Sequence, residues 1–185
     1  MCGIIGNFNK KKLDNDSKKK LIEIIYLLKC RGPDNSDYFF DNNNFLGHTR
    51  LSIIDLSSNS NQPILSNCKR FVMSFNGEIY NFKKLASLLD ENNIVNFSDT
   101  KVLVELISKF GIDFTLKKIQ GMYAISIFDK KNNYLYLARD FFGKKPLYYF
   151  HNNDQIFFSS TLLPIIKNSE IKKKINPEAL SYYFN

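Results

Sequence analysis

From Cys2 to Phe8 the chain is apolar and uncharged, which reads as a buried opening strand. Ser17 then introduces Leu21, Ile22, Ile25 and Leu28 at helical spacing, predicting an amphipathic helix of about three turns. Strand-like runs follow at Asp37 to Phe40, Phe45 to Thr49, Phe71 to Phe75, Met122 to Phe128, Tyr134 to Ala138, Leu147 to Phe150 and Ile156 to Ser159. The polar segments Asp129 to Asn133 and His151 to Asp154 are rich in residues that accept turn geometry, so each is expected to close a hairpin. Helices are expected at Phe82 to Leu89 and Thr100 to Phe110, with shorter ones near Leu162 to Lys167 and Pro177 to Tyr183. Pro177 suits a first turn, where its missing N–H removes no bond. Helices placed between antiparallel hairpins predict an α+β fold of packed sheets covered by helices.

A chain of 185 residues supports one compact domain with a two-layer core. The formal charge of +8 sits in short lysine runs, Lys10 to Lys12, Lys18 to Lys20 and Lys172 to Lys174, which punctuate turns and helix surfaces. A nucleic-acid partner would call for basic and stacking residues gathered on one face, so the lysines are read as solvated surface. The three cysteines, Cys2, Cys30 and Cys68, are an odd number, and no charged-then-apolar leader precedes Cys2. No apolar stretch approaches the roughly twenty residues that span a bilayer. The expectation is a reduced, cytoplasmic protein without a membrane partner. His48 and His151 lack carboxylates or cysteines at ligand spacing, so no metal site is expected.

Three segments carry candidate chemistry. Loss of Met1 would leave Cys2 with both a thiol and a free α-amine. α-Amines titrate at about 7.7–8.0 and cysteine thiols at about 8.5, so near neutral pH the amine can take the thiol proton directly or through water. Cys2 could equally be an inert residue opening a strand. Asn76-Gly77 comes directly off a strand; a side-chain amide beside a backbone N–H is a donor pair suited to a tetrahedral oxyanion, although Asn-Gly is also a common hairpin turn. Arg50 could grip an α-carboxylate through paired hydrogen bonds or could pair with Asp55 or Asp34. Asp99 stands just before a helix, where it reads as an N-cap that can still face an α-ammonium.

Together and in order, these pieces resemble the glutaminase domain of class II glutamine amidotransferases, the N-terminal-nucleophile hydrolases. The resemblance runs from Cys2-Gly3-Ile4-Ile5-Gly6 through Arg31-Gly32-Pro33-Asp34, Arg50-Leu51-Ser52-Ile53, Asn76-Gly77-Glu78-Ile79-Tyr80-Asn81 and Ser98-Asp99-Thr100. It closes with Gln120-Gly121-Met122-Tyr123-Ala124 and Ala138-Arg139-Asp140-Phe141-Phe142-Gly143-Lys144-Lys145-Pro146-Leu147-Tyr148-Tyr149. The Arg-Leu-Ser-Ile stretch, with Asp55-Leu56 and Asn61-Gln62-Pro63, is most similar to the glutamine-hydrolysing asparagine synthetases.

The resemblance implies a four-layer α/β/β/α sandwich of two antiparallel sheets between helical layers. It implies Cys2 as nucleophile with its own amine as base and Asn76 with Gly77 as oxyanion hole. Glutamine would be bound by Arg50 at the carboxylate, and by Glu78, Asp99 and the stretch Leu51, Ile53 and Ile54 at the amino end. Residues 1–170 would be the glutaminase domain and 171–185 the lead towards a synthetase domain. The glutaminase step would need no cofactor, ATP and magnesium belonging to the synthetase domain. Relatives usually carry His where this chain has Cys30, and a Ser-Glu pair where it has Ser160-Thr161; no Ser-Gly-Gly-x-Asp nucleotide loop is found. Two alternatives stand beside glutamine hydrolysis: a silent or truncated glutamine-binding module, and an N-terminal-cysteine amidase for another amide.

Overall fold

The structure is a computed structural model that describes residues 1–52, 60–89, 98–168 and 174–184. Two antiparallel sheets face each other. The five-stranded sheet has the order β2-β3-β1-β9-β8, built from β1 (Gly3–Asn9), β2 (Asn35–Asp41), β3 (Asn44–Arg50), β8 (Tyr148–His151) and β9 (Gln155–Ser159). The four-stranded sheet has the order β4-β5-β6-β7, from β4 (Ile64–Leu65), β5 (Phe71–Ile79), β6 (Gly121–Asp129) and β7 (Tyr134–Arg139). The outer layers hold α1 (Asn15–Ile25), with a 3-10 turn at Tyr26–Leu28, and α5 (Leu162–Lys167) on one side, and α2 (Phe82–Ala86), α3 (Asp99–Phe110) and α4 (Ile112–Lys118) on the other. This is the expected α/β/β/α sandwich.

Period-two alternation explains why strands buried on both faces read as continuous apolar runs. Ile5 points outward to a cluster with Leu21, Ile25, Leu28, Phe45 and Phe157, whereas Ile4 points inward to Leu46, Val72, Ala124, Phe128 and Phe158. On the other sheet, Met73 and Phe75 face α3 through Val102, Leu103 and Leu106. Cys2 shares the inward parity of Ile4; His48 and Arg50 share that of Leu46; Asn76 and Glu78 share that of Val72. One alternation rule therefore directs the candidate chemistry into the gap between the sheets.

His48 ties the sheets together. It is 1% exposed, and its Nε2 lies 3.2 Å from the carbonyl oxygen of Phe75 in β5. A carbonyl can only accept, so the neutral ring carries its proton on Nε2. Burial drives its pKa down to about 3, against a smaller upward pull from the Phe75 carbonyl, with Arg50 adding to the depression. Between about pH 6.5 and pH 3 the unfolded chain binds a proton that the folded chain refuses, so stability present above pH 6.5 is lost as pH falls through that window. By pH 4.5 the loss from this group should be on the order of 2–3 kcal/mol. Urea unfolding at pH 7.5 and 4.5 should show that drop in the parent and a markedly smaller one in His48→Gln.

Two expected elements differ in detail, and two were not foreseen. The strand expected at Phe71 to Phe75 continues to Ile79, pairing Asn76 with Ala124 and Gly77 with Tyr123, which rules out the alternative of a hairpin turn there. The N-cap of α3 is Ser98, whose Oγ accepts from Lys101 N at 3.3 Å, and Asp99 is the first helical residue. α4 restarts at once after Gly111, whose φ of 86° breaks α3, and β4 is too short to carry a pattern.

Candidate active site

β4 pairs with Met73 and Val72, and beyond that point no strand among the described residues neighbours this edge of β5. Side chains occupy that edge instead. Phe75 N–H donates to Gln62 Oε1 at 2.6 Å, and Ile79 N–H donates to Asp99 Oδ2 at 3.2 Å. In an extended strand, N–H groups two residues apart point to the same edge. Gly77 N–H, midway between these two, is therefore aimed at the same open edge. A Cβ at Gly77 would lie 2.3 Å from the Met122 carbonyl oxygen, so only glycine lets β5 and β6 approach this closely.

A cavity of about 180 Å³ opens here, its walls including Cys2, Arg50, Leu51, Asn76, Gly77, Glu78, Asp99 and Lys145. The structure thus brings together every predicted site residue that it describes; Ile53 and Ile54 lie outside the described residues, as does Asp55. Asn76 is 1% exposed, and its Nδ2 has no hydrogen-bond partner among the described residues. An unmatched buried donor costs roughly 1–3 kcal/mol, which points to a partner that arrives with the ligand.

Cys2 is half-buried. Its Sγ accepts from Leu51 N–H at 3.4 Å and lies 3.7 Å from the Leu51 carbonyl oxygen, so Leu51 holds the thiol with its backbone. Arg31 holds the residue from behind, Nε donating to the Cys2 carbonyl oxygen at 3.0 Å. That reach requires the loop before β2 to lie against β3: a Cβ on Gly32 would come within 2.3 Å of the Thr49 carbonyl. The Arg31-Gly32 pair appears in the sequence only as a motif, and its role in fixing Cys2 emerges from the packing.

Arg50, at the end of β3, is buried, and its Nη1 donates to Asn61 Oδ1 at 2.7 Å. Asp34, weighed as its ion-pair partner, instead accepts from Ser52 N–H at 2.7 Å. Asp99 is also buried, its carboxylate accepting from Ile79 N–H and, at 2.8 Å, from Thr100 N–H. Burial raises its pKa above the ordinary carboxylate value; the two N–H bonds pull the other way, and the charge of Glu78 adds to the rise. A cation placed beside Asp99 and Glu78 would relieve that strain. The cavity therefore offers a nucleophilic sulfur, two donors able to meet an oxyanion, a guanidinium for a carboxylate and paired carboxylates for an ammonium.

These features define a class, and comparison with known proteins agrees: the glutamine amidotransferase domain family matches residues 1–185, and the chain belongs to that family. Its relatives narrow the likeness. Over its full length the chain is 36% identical to asparagine synthetase [glutamine-hydrolyzing] 1 of Bacillus subtilis and 35% identical to a putative asparagine synthetase of Methanocaldococcus jannaschii. Over 90% of its length it is 33% identical to asparagine synthetase B of Escherichia coli. It spans 30%, 39% and 30% of those proteins respectively, about a third of their length. Among solved structures, the glutamine phosphoribosylpyrophosphate amidotransferase of B. subtilis superposes with a TM-score of 0.72 at 19% identity, covering 89% of this chain and 43% of that one. An allosteric regulatory enzyme of purine biosynthesis gives 0.73 at 18%, with the same coverage. At such identities the likeness establishes the fold.

Proposed function

We propose that this chain hydrolyses the side-chain amide of glutamine to glutamate and ammonia, with Cys2 as nucleophile once Met1 has been removed. The carrying observation is the buried Asn76 Nδ2, without a partner among the described residues, on the inner face of one sheet and in the same cavity as Cys2 of the other. Arg50 receives the α-carboxylate; Asp99 and Glu78 receive the α-ammonium. The free amine of Cys2 takes the thiol proton, directly or through water, and the sulfur attacks the carboxamide carbon. Asn76 Nδ2 and Gly77 N–H stabilise the oxyanion. Collapse breaks the C–N bond, the leaving ammonia takes its proton from the α-ammonium, and a thioester remains. The same amine then activates water, which releases glutamate and regenerates the thiol.

The reaction uses thiol, amine, amide and water and calls for no cofactor. The ammonia serves an acceptor in a synthetase region like that making up the rest of the relatives' length, where ATP and magnesium would act. Residues 1–170 form the glutaminase unit and 171–185 lead towards that region. Within the last stretch, α6 (Pro177–Phe184) buries no residue and leaves Tyr182, Tyr183 and Phe184 exposed, which suits a segment whose packing partner is another unit.

The test pairs intact mass with ammonia release on one sample of purified protein. Protein lacking Met1 should release ammonia from glutamine at least tenfold faster than from asparagine or a simple acyl amide. Equal rates on all three would replace glutamine hydrolysis with a general amidase, and full turnover by protein retaining Met1 would remove the amine from the mechanism.

A further inference from the structure

We propose that Lys145 is a positioning residue for the chemistry of Cys2, its ammonium favouring the ionised sulfur after residue 1 has left; this rests on the proposed role of Cys2 as nucleophile. Lys145 lies in the loop between β7 and β8, where a lysine would ordinarily be solvated. Here it is only 8% exposed and lines the same cavity as Cys2. The loop is anchored by Asp140, whose carboxylate accepts from Lys144 N–H at 3.0 Å, Lys145 N–H at 3.1 Å and Tyr123 N–H at 3.2 Å. Tyr123 pairs with Gly77 in β5, so Lys145 is held in register with the oxyanion donors.

The Lys145 side chain has a poor partner. Its Nζ lies 3.5 Å from the thioether sulfur of Met1, its one partner among the described residues. Glu78 and Asp99 share the cavity, yet the ion pairs among the described residues are Arg70–Asp129 and Lys101–Glu105. A buried ammonium set against an uncharged thioether is unfavourable unless an anion arrives. Removal of Met1 takes the thioether away and uncovers the Cys2 amine in the same part of the cavity. The anion that the chemistry then creates is the Cys2 thiolate. A fixed positive charge on that wall attracts the thiolate and disfavours the protonated amine, so the amine stays ready to accept the thiol proton. Arg31 and Arg50 approach the same centre, Arg31 on the Cys2 carbonyl and Arg50 on Asn61, while Glu78 and Asp99 oppose them; Asp140 spends its carboxylate on backbone N–H groups.

The experiment follows iodoacetamide alkylation of Cys2 without glutamine, in protein whose mass shows Met1 removed; peptide mapping separates Cys2 from the exposed Cys30 and Cys68. At about pH 7, Lys145→Met and Lys145→Gln should both alkylate roughly three- to tenfold more slowly than the parent and catch up near pH 9.5, where thiols ionise unaided. Lys145→Arg should return to within about twofold. The acid limb of the kcat/KM profile for glutamine should move to higher pH in the neutral variants and not in the arginine one. Parent-like alkylation by both neutral variants, while the parent hydrolyses glutamine, overturns this role and leaves the nucleophile assignment standing. A slow Met variant beside a fast Gln variant assigns the effect to packing and overturns it equally. A parent that hydrolyses glutamine undiminished after complete Cys2 alkylation overturns the nucleophile assignment itself.

Discussion

Cys2→Ala should abolish glutamine turnover, lowering kcat by roughly 10⁴-fold or more, the scale seen when a covalent nucleophile is deleted. The sulfur is the only protein atom in the proposed sequence that forms and breaks a covalent bond to the substrate carbon, so no neighbouring group can stand in for it. The fold should not notice. The thiol is half-buried and, among the described residues, its hydrogen-bond contacts are the two long ones with the Leu51 backbone, so its loss should cost about 1 kcal/mol or less. Glutamine binding should survive, because Arg50, Glu78 and Asp99 are untouched. Calorimetric titration together with an ammonia assay would check both halves. Measurable turnover in Cys2→Ala would remove covalent catalysis from the account.

Asn76→Ala should lower kcat by about 10²–10³-fold, equivalent to about 2.7–4 kcal/mol of lost transition-state stabilisation. KM should change little, since the amide meets charge that develops only after the sulfur attacks. The same substitution should leave unfolding stability unchanged or slightly raised. Asn76 Nδ2 has no partner among the described residues, so deleting it removes a buried donor that the folded chain does not satisfy. A catalytic loss without a stability loss is the signature of a group held for the transition state. Turnover within threefold of the parent would assign Asn76 to packing.

Much of this was legible from the order of residues. The apolar runs predicted the strands of both sheets other than β4, together with the two hairpins, most plainly where a strand such as β1, β3 or β5 is buried on both faces. The alternative reading of Asn76-Gly77 as a turn fails for a physical reason: the dipeptide preference is local, whereas nine paired residues of β5 and β6 and a contact that only glycine permits are tertiary. Ser98 and Asp99 are both good caps, and sequence alone cannot say which one the chain turns at; the bond from Ile79 N–H draws Asp99 into the site and leaves the cap to Ser98. α4 was missed because Gly111 ends one helix and the next starts without a linker. Lys145 stands in the sequence only as part of the closing motif, since nothing in a lysine beside another lysine announces burial.

The edge of β5 beyond β4, bare of strands among the described residues, has a consequence outside catalysis. An unpaired strand border normally invites a foreign strand to add on and begin a stack of chains. Along this border Gln62 and Asp99 occupy the flanking donors, leaving a gap one N–H wide at Gly77. A small amide fits such a notch and a second backbone does not, so the arrangement proposed to admit substrate would also shield the protein from edge-to-edge aggregation.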